Sequence, residues 1–139
     1  MNTKEKGDVA VGFAISYYLS HGCEVCLPIG DKRPYDFIVE RSGDLMRVQV
    51  KYAGFYKPEN RCVAALRVMG GNQSFYSAKR YAQDAFDLLF VHTARAENYE
   101  IPWCEIGNKS TLTIECKWYK KYRVVCECAG DGEANRSTL

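Results

Sequence analysis

The 139-residue chain is 47% hydrophobic and 26% charged, too apolar for a disordered segment and long enough for one domain with its own core. Its formal charge of +2 lacks the strong basic excess that marks many nucleic-acid binders. That total conceals a segregation. Residues 1–44 carry five basic and seven acidic side chains, 45–83 carry seven basic ones against Glu59 alone, 84–116 carry two against six, and 117–139 carry five against three.

Taken in chain order, Met1-Asn-Thr-Lys-Glu-Lys-Gly-Asp8 has no apolar run, so no secretory leader is expected. Residues 9–21 place Val11, Ala14, Ile15, Tyr18 and Leu19 at helical spacing before Gly22, which predicts a helix with a glycine stop. A short strand is expected over 23–27, and Pro28, Gly30 and Pro34 mark a loop. Strands over 35–40 and 45–52 flank Arg41-Ser-Gly-Asp44, a hairpin turn signal. Another strand is expected over 61–69, after the turn at 57–60. Gly70-Gly-Asn-Gln73 is a break, from which Ser74 would cap a helix running to Gln83 with Phe75, Ala78, Tyr81 and Ala82 on it. A buried strand follows at 86–92, with further strands near 99–102 and 111–116.

This order, α-β-β-β-α-β plus extra strands, predicts an α/β (α+β) fold: a mixed β-sheet with flanking helices. A single domain is expected over 1–128, followed by a polar tail over 129–139. No run approaches the roughly 18 apolar residues of a membrane span. Seven cysteines, an odd number, argue against a disulfide framework and for a reducing, cytoplasmic home. Cys23-Glu-Val-Cys26 and Cys126-Glu-Cys128 lie about a hundred residues apart with no second pair beside either, so buried core cysteine is favoured over zinc. His21 and His92 read as structural.

The hairpin is the most informative segment. In Leu45-Met-Arg-Val-Gln-Val-Lys-Tyr52 the even positions are apolar or aromatic, while Arg47, Gln49 and Lys51 share the other face. A turn centred between Ser42 and Gly43 sets Asp36 opposite Gln49, with Lys51 one pleat further on. A carboxylate, an amide oxygen and an ammonium would then converge beside a Pro-Gly loop, a setting for a hard cation next to a positive charge. A one-residue slip would destroy the arrangement. A solvated hairpin face would show the same alternation.

The constellation Pro34-Tyr-Asp36, thirteen further residues, then Gln49-Val-Lys51 resembles the PD-(D/E)XK nuclease superfamily, with Gln in the D/E position. The likeness extends through Lys6-Gly-Asp8, His21-Gly22, Leu27-Pro-Ile-Gly-Asp31, Phe86-Asp-Leu-Leu-Phe-Val91 and Tyr99-Glu-Ile-Pro102. It is greatest with small group I intron homing endonucleases of restriction-enzyme fold, and more distant with archaeal Holliday junction resolvases. The resemblance implies a sequence-specific, Mg²⁺-dependent endonuclease acting on double-stranded DNA, with Mn²⁺ able to substitute. It implies Asp36, Gln49 and the Val50 carbonyl as metal ligands, and Lys51 as the group that positions or activates water and stabilises phosphate charge. Members often add a Glu from the first helix, and that place falls here at Val11, which implies a cleavage-impaired site. A DNA-binding protein that keeps the nuclease fold without turnover is the alternative.

DNA contact is expected from the basic block. Residues 51–68 read as a ribbon suited to the major groove, with Arg61, Val63, Ala65 and Arg67 on one face. Arg47, Lys57 and Asn60 join the candidates, as do Asn72, Gln73, Lys79 and Arg80 at the start and flank of the predicted second helix. Lys117, Lys120, Lys121 and Arg123, interleaved with Trp118, Tyr119 and Tyr122, form a second basic stretch for phosphate or a subunit. Two cuts per duplex favour a homo-oligomer, dimer or tetramer.

Overall fold

The fold, obtained as a computed structural model, describes residues 1–68 and 79–126. It opens with α1 (Thr3–Ser20), which starts earlier than its apolar spacing alone suggests. A capping box explains the early start: the Glu5 N–H donates to Asn2 Oδ1, and the Asn2 N–H donates to Glu5 Oε2, both at 2.9 Å. At the other end Gly22 adopts φ +78°, a left-handed conformation that halts the helix without a Cβ penalty.

Strand β1 (Glu24–Cys26) pairs antiparallel with β2 (Phe37–Arg41), and β2 pairs antiparallel with β3 (Asp44–Tyr56). The β2–β3 turn places Ser42 at φ 53° and Gly43 at φ 89°, and two positive φ values in a two-residue loop match the twist of the flanking strands. Phe37 faces Val48 and Arg41 faces Asp44, the register expected from the turn. β3 runs four residues beyond Tyr52 and continues into an antiparallel ribbon with β4 (Arg61–Ala65) through a 3₁₀ turn at Lys57–Glu59.

The strand expected over 61–69 breaks at Leu66, whose N–H donates to Ser110 O instead, and β5 (Arg67–Val68) pairs with β6 (Lys79–Arg80) as a separate two-stranded unit. The helix predicted from Ser74 is corrected over 79–83. Lys79 and Arg80 lie in a strand, and the chain then turns, with the Ala85 N–H donating to Ala82 O and Trp103 Nε1 also donating to Ala82 O. Long-range pairing overrides the local helical spacing there. Residues 74–78 of that predicted helix and the tail over 129–139 lie outside the described residues.

β7 (Leu88–Thr93) lies parallel to β3, and β8 (Asn98–Pro102) and β10 (Arg123–Val124) complete the main sheet in the order β1-β2-β3-β7-β8-β10. β9 (Thr111–Thr113), shorter than the strand expected there, pairs with β4. The result is the mixed α/β architecture expected, with α1 as the single α-helix among the described residues.

Two cores sandwich the sheet. On one face Ala10, Ala14, Tyr17 and Tyr18 of α1 cover Phe37, Val39, Val48, Val50, Leu88 and Phe90. On the other, Ala53, Leu89 and Val91 pack with Cys62, Ala64, Tyr99, Ile101, Trp103, Leu112 and Ile114. β7 is buried on both faces, which accounts for its unbroken apolar run. The polar face of β3 therefore borders a second core at its edge and is not a wholly solvated surface.

Candidate active site

Asp36 sits where the β2 ladder ends. Its own N–H donates to Val48 O at 2.8 Å, and the next amide along β3, that of Val50, has passed the last paired residue of β2. The Asp36 carboxylate takes that amide: the Val50 N–H donates to Asp36 Oδ2 at 2.7 Å. Because alternate residues of a strand point N–H and C=O to the same edge, the Val50 carbonyl faces the Asp36 side as well. Burial raises the Asp36 pKa above its ordinary 3.8, opposed by the Val50 N–H and by the charge of Lys51.

Gln49 and Lys51 project from the opposite face of β3 to Val48 and Val50. Gln49 Nε2 donates to the Tyr81 hydroxyl at 3.1 Å, while its Oε1 is buried with no hydrogen-bond partner among the described residues. Lys51 Nζ donates to Arg67 O at 3.4 Å and stands 5.1 Å from the centre of the Tyr81 ring. Tyr81 is thus held by both polar residues of the motif, a role that helical spacing did not reveal. It carries no local signal, because it reaches the site only through the turn over 81–86.

The donor set fits a hard divalent cation. Oxygen atoms alone are offered, from one carboxylate, one amide and one main-chain carbonyl, and the buried Gln49 Oε1 lacks the partner that such an atom normally has. The set is also sparse. Val11 is half-buried on α1 against the core that contains Val48 and Val50, and adds an isopropyl group where a carboxylate would strengthen binding. Glu5 is committed to the capping box, and Asp8 is exposed. No group of three or more His, Cys, Asp or Glu placed to hold a metal occurs among the described residues.

The predicted DNA-contact residues separate into groups. Arg67, Lys79 and Arg80 are brought together on β5 and β6, beside Lys51, with Arg67 directly opposite Arg80. A cleft of about 310 Å³ next to them is lined by Arg33, Tyr35, Arg47, Arg80 and Tyr81 among others. Arg47 is engaged by Asp87, to which its main-chain N–H donates at 2.8 Å and its guanidinium at 3.2 Å; that carboxylate raises the Arg47 pKa. Asn60 takes a left-handed turn conformation and accepts from Arg95, and Lys57 is exposed on the adjoining 3₁₀ turn. Arg61 opens instead onto a cleft of about 770 Å³ shared with Arg95, Lys117, Trp118, Lys120 and Arg123, where the second basic stretch also converges. Asn72 and Gln73 lie outside the described residues.

The remaining sequence features are structural. His92 is buried, hydrogen-bonded at 2.8 Å to Asn98 and stacked on Phe13 at 4.1 Å; His21 caps α1. Cys23 is buried as expected of a core cysteine, whereas Cys26 is exposed, because it lies on the edge strand β1. Cys128 lies outside the described residues.

Comparison with known proteins agrees with this geometry. None of the curated proteins matches the chain. Among solved structures, the bacterial homing endonuclease I-Ssp6803I matches with a TM-score of 0.75 at 23% sequence identity, covering 99% of each chain. At that identity the likeness is one of fold, and the fold is the restriction-endonuclease-like one. The PD-(D/E)XK endonuclease model matches residues 1–124, so the helix, the hairpin and the strands around Asp36, Gln49 and Lys51 all fall inside the matched span, and the chain belongs to the PD-(D/E)XK endonuclease family.

Proposed function

We propose that the protein is a sequence-specific, Mg²⁺-dependent endonuclease of double-stranded DNA, of homing-endonuclease type, acting as a homo-oligomer and weakened by Val11. The observation that carries this reading is the meeting of one buried carboxylate, one partnerless amide oxygen and one ammonium at the end of the β2 ladder. Asp36, Gln49 Oε1 and the Val50 carbonyl would hold the metal. When bound, Mg²⁺ supplies charge to polarise the scissile phosphate and to lower the pKa of a bound water.

The chain's own residues do the rest. Lys51 presents an ammonium to the phosphate, where a fixed positive charge stabilises the developing transition state. Asp36 is held by the Val50 amide, so the carboxylate is aimed before anything binds. The DNA backbone is met by Arg67, Lys79 and Arg80. Two arginines facing each other across a two-residue ladder repel, and an anionic partner running over them removes that cost. Direct base readout falls to the β3–β4 ribbon, where Arg61 is exposed.

Val11 favours a second reading, a DNA-binding protein that keeps the fold without turnover. Cleavage of a library of duplex sites separates the two. Wild type is expected to cut slowly with Mg²⁺ or Mn²⁺, Val11→Glu to cut at least about tenfold faster because a second carboxylate joins the site, and Lys51→Ala in that background to lose the gain. Duplex binding by all three proteins with no cleavage under either metal would refute the enzyme reading and leave the binding one.

A further inference from the structure

Resting on the reading of Asp36, Gln49 and Lys51 as a metal site, we infer that Tyr81 is a positioning residue that orients the Gln49 amide so that its oxygen faces the cation. The Tyr81 hydroxyl accepts from Gln49 Nε2 at 3.1 Å, which spends the nitrogen end and leaves Oε1 buried and free of hydrogen bonds among the described residues. The Tyr81 ring is itself fixed, packed edge-on against Phe86 at 5.1 Å and against Trp103 at 6.0 Å, with Trp103 Nε1 anchoring the preceding turn through Ala82 O. The same ring lies 5.1 Å from Lys51 Nζ. One side chain of the second core thereby sets the attitude of both polar residues of the motif.

The chemistry explains why this motif needs such a device. A carboxylate at position 49 would offer equivalent oxygens, so either rotation about its terminal bond would face an oxygen to the cation. An amide has one oxygen and one nitrogen, and the wrong rotation aims N–H donors at a cation. An anchored acceptor for the nitrogen removes the wrong rotation. Tyr81 therefore belongs with Gln49 as a pair.

The inference is tested by a double-mutant cycle between Tyr81→Phe and Gln49→Glu, read as Mn²⁺ affinity of the full chain by electron paramagnetic resonance. Phe keeps the ring over Lys51 and the contacts with Phe86 and Trp103, and near-ultraviolet circular dichroism checks that each variant is folded. Tyr81→Phe is expected to weaken Mn²⁺ binding by about tenfold when residue 49 is Gln, within the range seen when the partner of a metal ligand is removed. With Glu at 49 the same change is expected to cost less than about threefold. Equal losses in the two backgrounds, or no loss in either, would overturn the role of Tyr81 while leaving the metal site intact. Absence of Mn²⁺ binding by wild type at millimolar metal would overturn the metal site itself, and the inference with it.

Discussion

Asp36 is placed for ligation at the expense of the apo fold, and two substitutions separate the contributions. Asp36→Asn keeps an oxygen for the Val50 amide and removes the charge, whereas Asp36→Ala removes both. Val50 is buried, at 7% exposure, so in the Ala variant its N–H loses a 2.7 Å partner without gaining water freely. An unmet buried donor costs about 1–3 kcal/mol. For a chain of this size that is roughly 3–15 °C in Tm, taking about 3–5 °C per kcal/mol. Both variants lack the charge, so this gap between Asn and Ala should not vary with pH. The gap between Asn and wild type should vary. Burial holds the Asp36 pKa above its unfolded value, so the stabilisation from its protonated form is complete below the unfolded pKa and is lost as pH rises through the folded one. At pH 7 without metal, Asp36→Asn should therefore melt above wild type, and near pH 3 the two should converge. Adding Mg²⁺ or Mn²⁺ should raise the Tm of wild type alone, since a ligand at a hundred times its Kd adds about 2.7 kcal/mol. Calorimetric melts at the two pH values, with chelator and with metal, check all of this. An Asn variant no more stable than wild type at pH 7 would refute the argument that a buried, strained charge is kept for binding.

Two further outcomes follow from the surface and the core. Replacing Arg61 and Arg67 together with Ala should weaken specific duplex binding more than non-specific binding, with any lost phosphate contact visible as a change of about 0.9 in the slope of log affinity against log salt. Equal losses on all sequences in a fluorescence-anisotropy titration would make both residues phosphate contacts only. Under α1, Arg41 makes a two-pronged ion pair with Glu100 at 2.7 and 3.2 Å, and Glu100 also raises the Tyr18 pKa beyond what burial alone does. Glu100→Ala should cost about 1.5–3 kcal/mol in urea unfolding, the usual range for hydrogen bonds to a charged group, and an unchanged midpoint would show that the pair contributes nothing net.

The parts of this architecture that were legible in sequence were set by local rules. Ser42-Gly43 demanded positive φ at two positions, which fixed the turn, and the turn with the alternation of residues 45–52 fixed the β2–β3 register and placed Asp36 opposite Gln49. The helix stop at Gly22 and the doubly buried β7 were legible for the same reason. What escaped was non-local. Arg47 read as free for DNA, yet its partner Asp87 lies forty residues on. Residues 79–83 had helical spacing, yet Arg67 lay waiting to pair with Arg80. Tyr81 looked like one apolar face residue of that helix, and only the packing of Phe86 and Trp103 brings its hydroxyl to Gln49.

The site follows from a division of labour along β3. Its even residues, Met46, Val48, Val50 and Tyr52, seat α1, and its odd residues carry the chemistry until Ala53 joins the second core. The two sets cannot be exchanged, because a slip of one residue against β2 would bury Gln49 and Lys51 beneath α1 and expose Val48 and Val50. The hydrophobic cost of that slip, about 1.5–3 kcal/mol for each exposed large apolar side chain, therefore enforces the alignment of Asp36 with the motif. The metal site needs no stabilisation of its own to be correctly assembled. That freedom is what allows a chain with Val in place of a helix carboxylate to retain the fold and the geometry of Asp36, Gln49 and Lys51 in full, so that loss of a ligand at position 11 falls on metal affinity and not on folding.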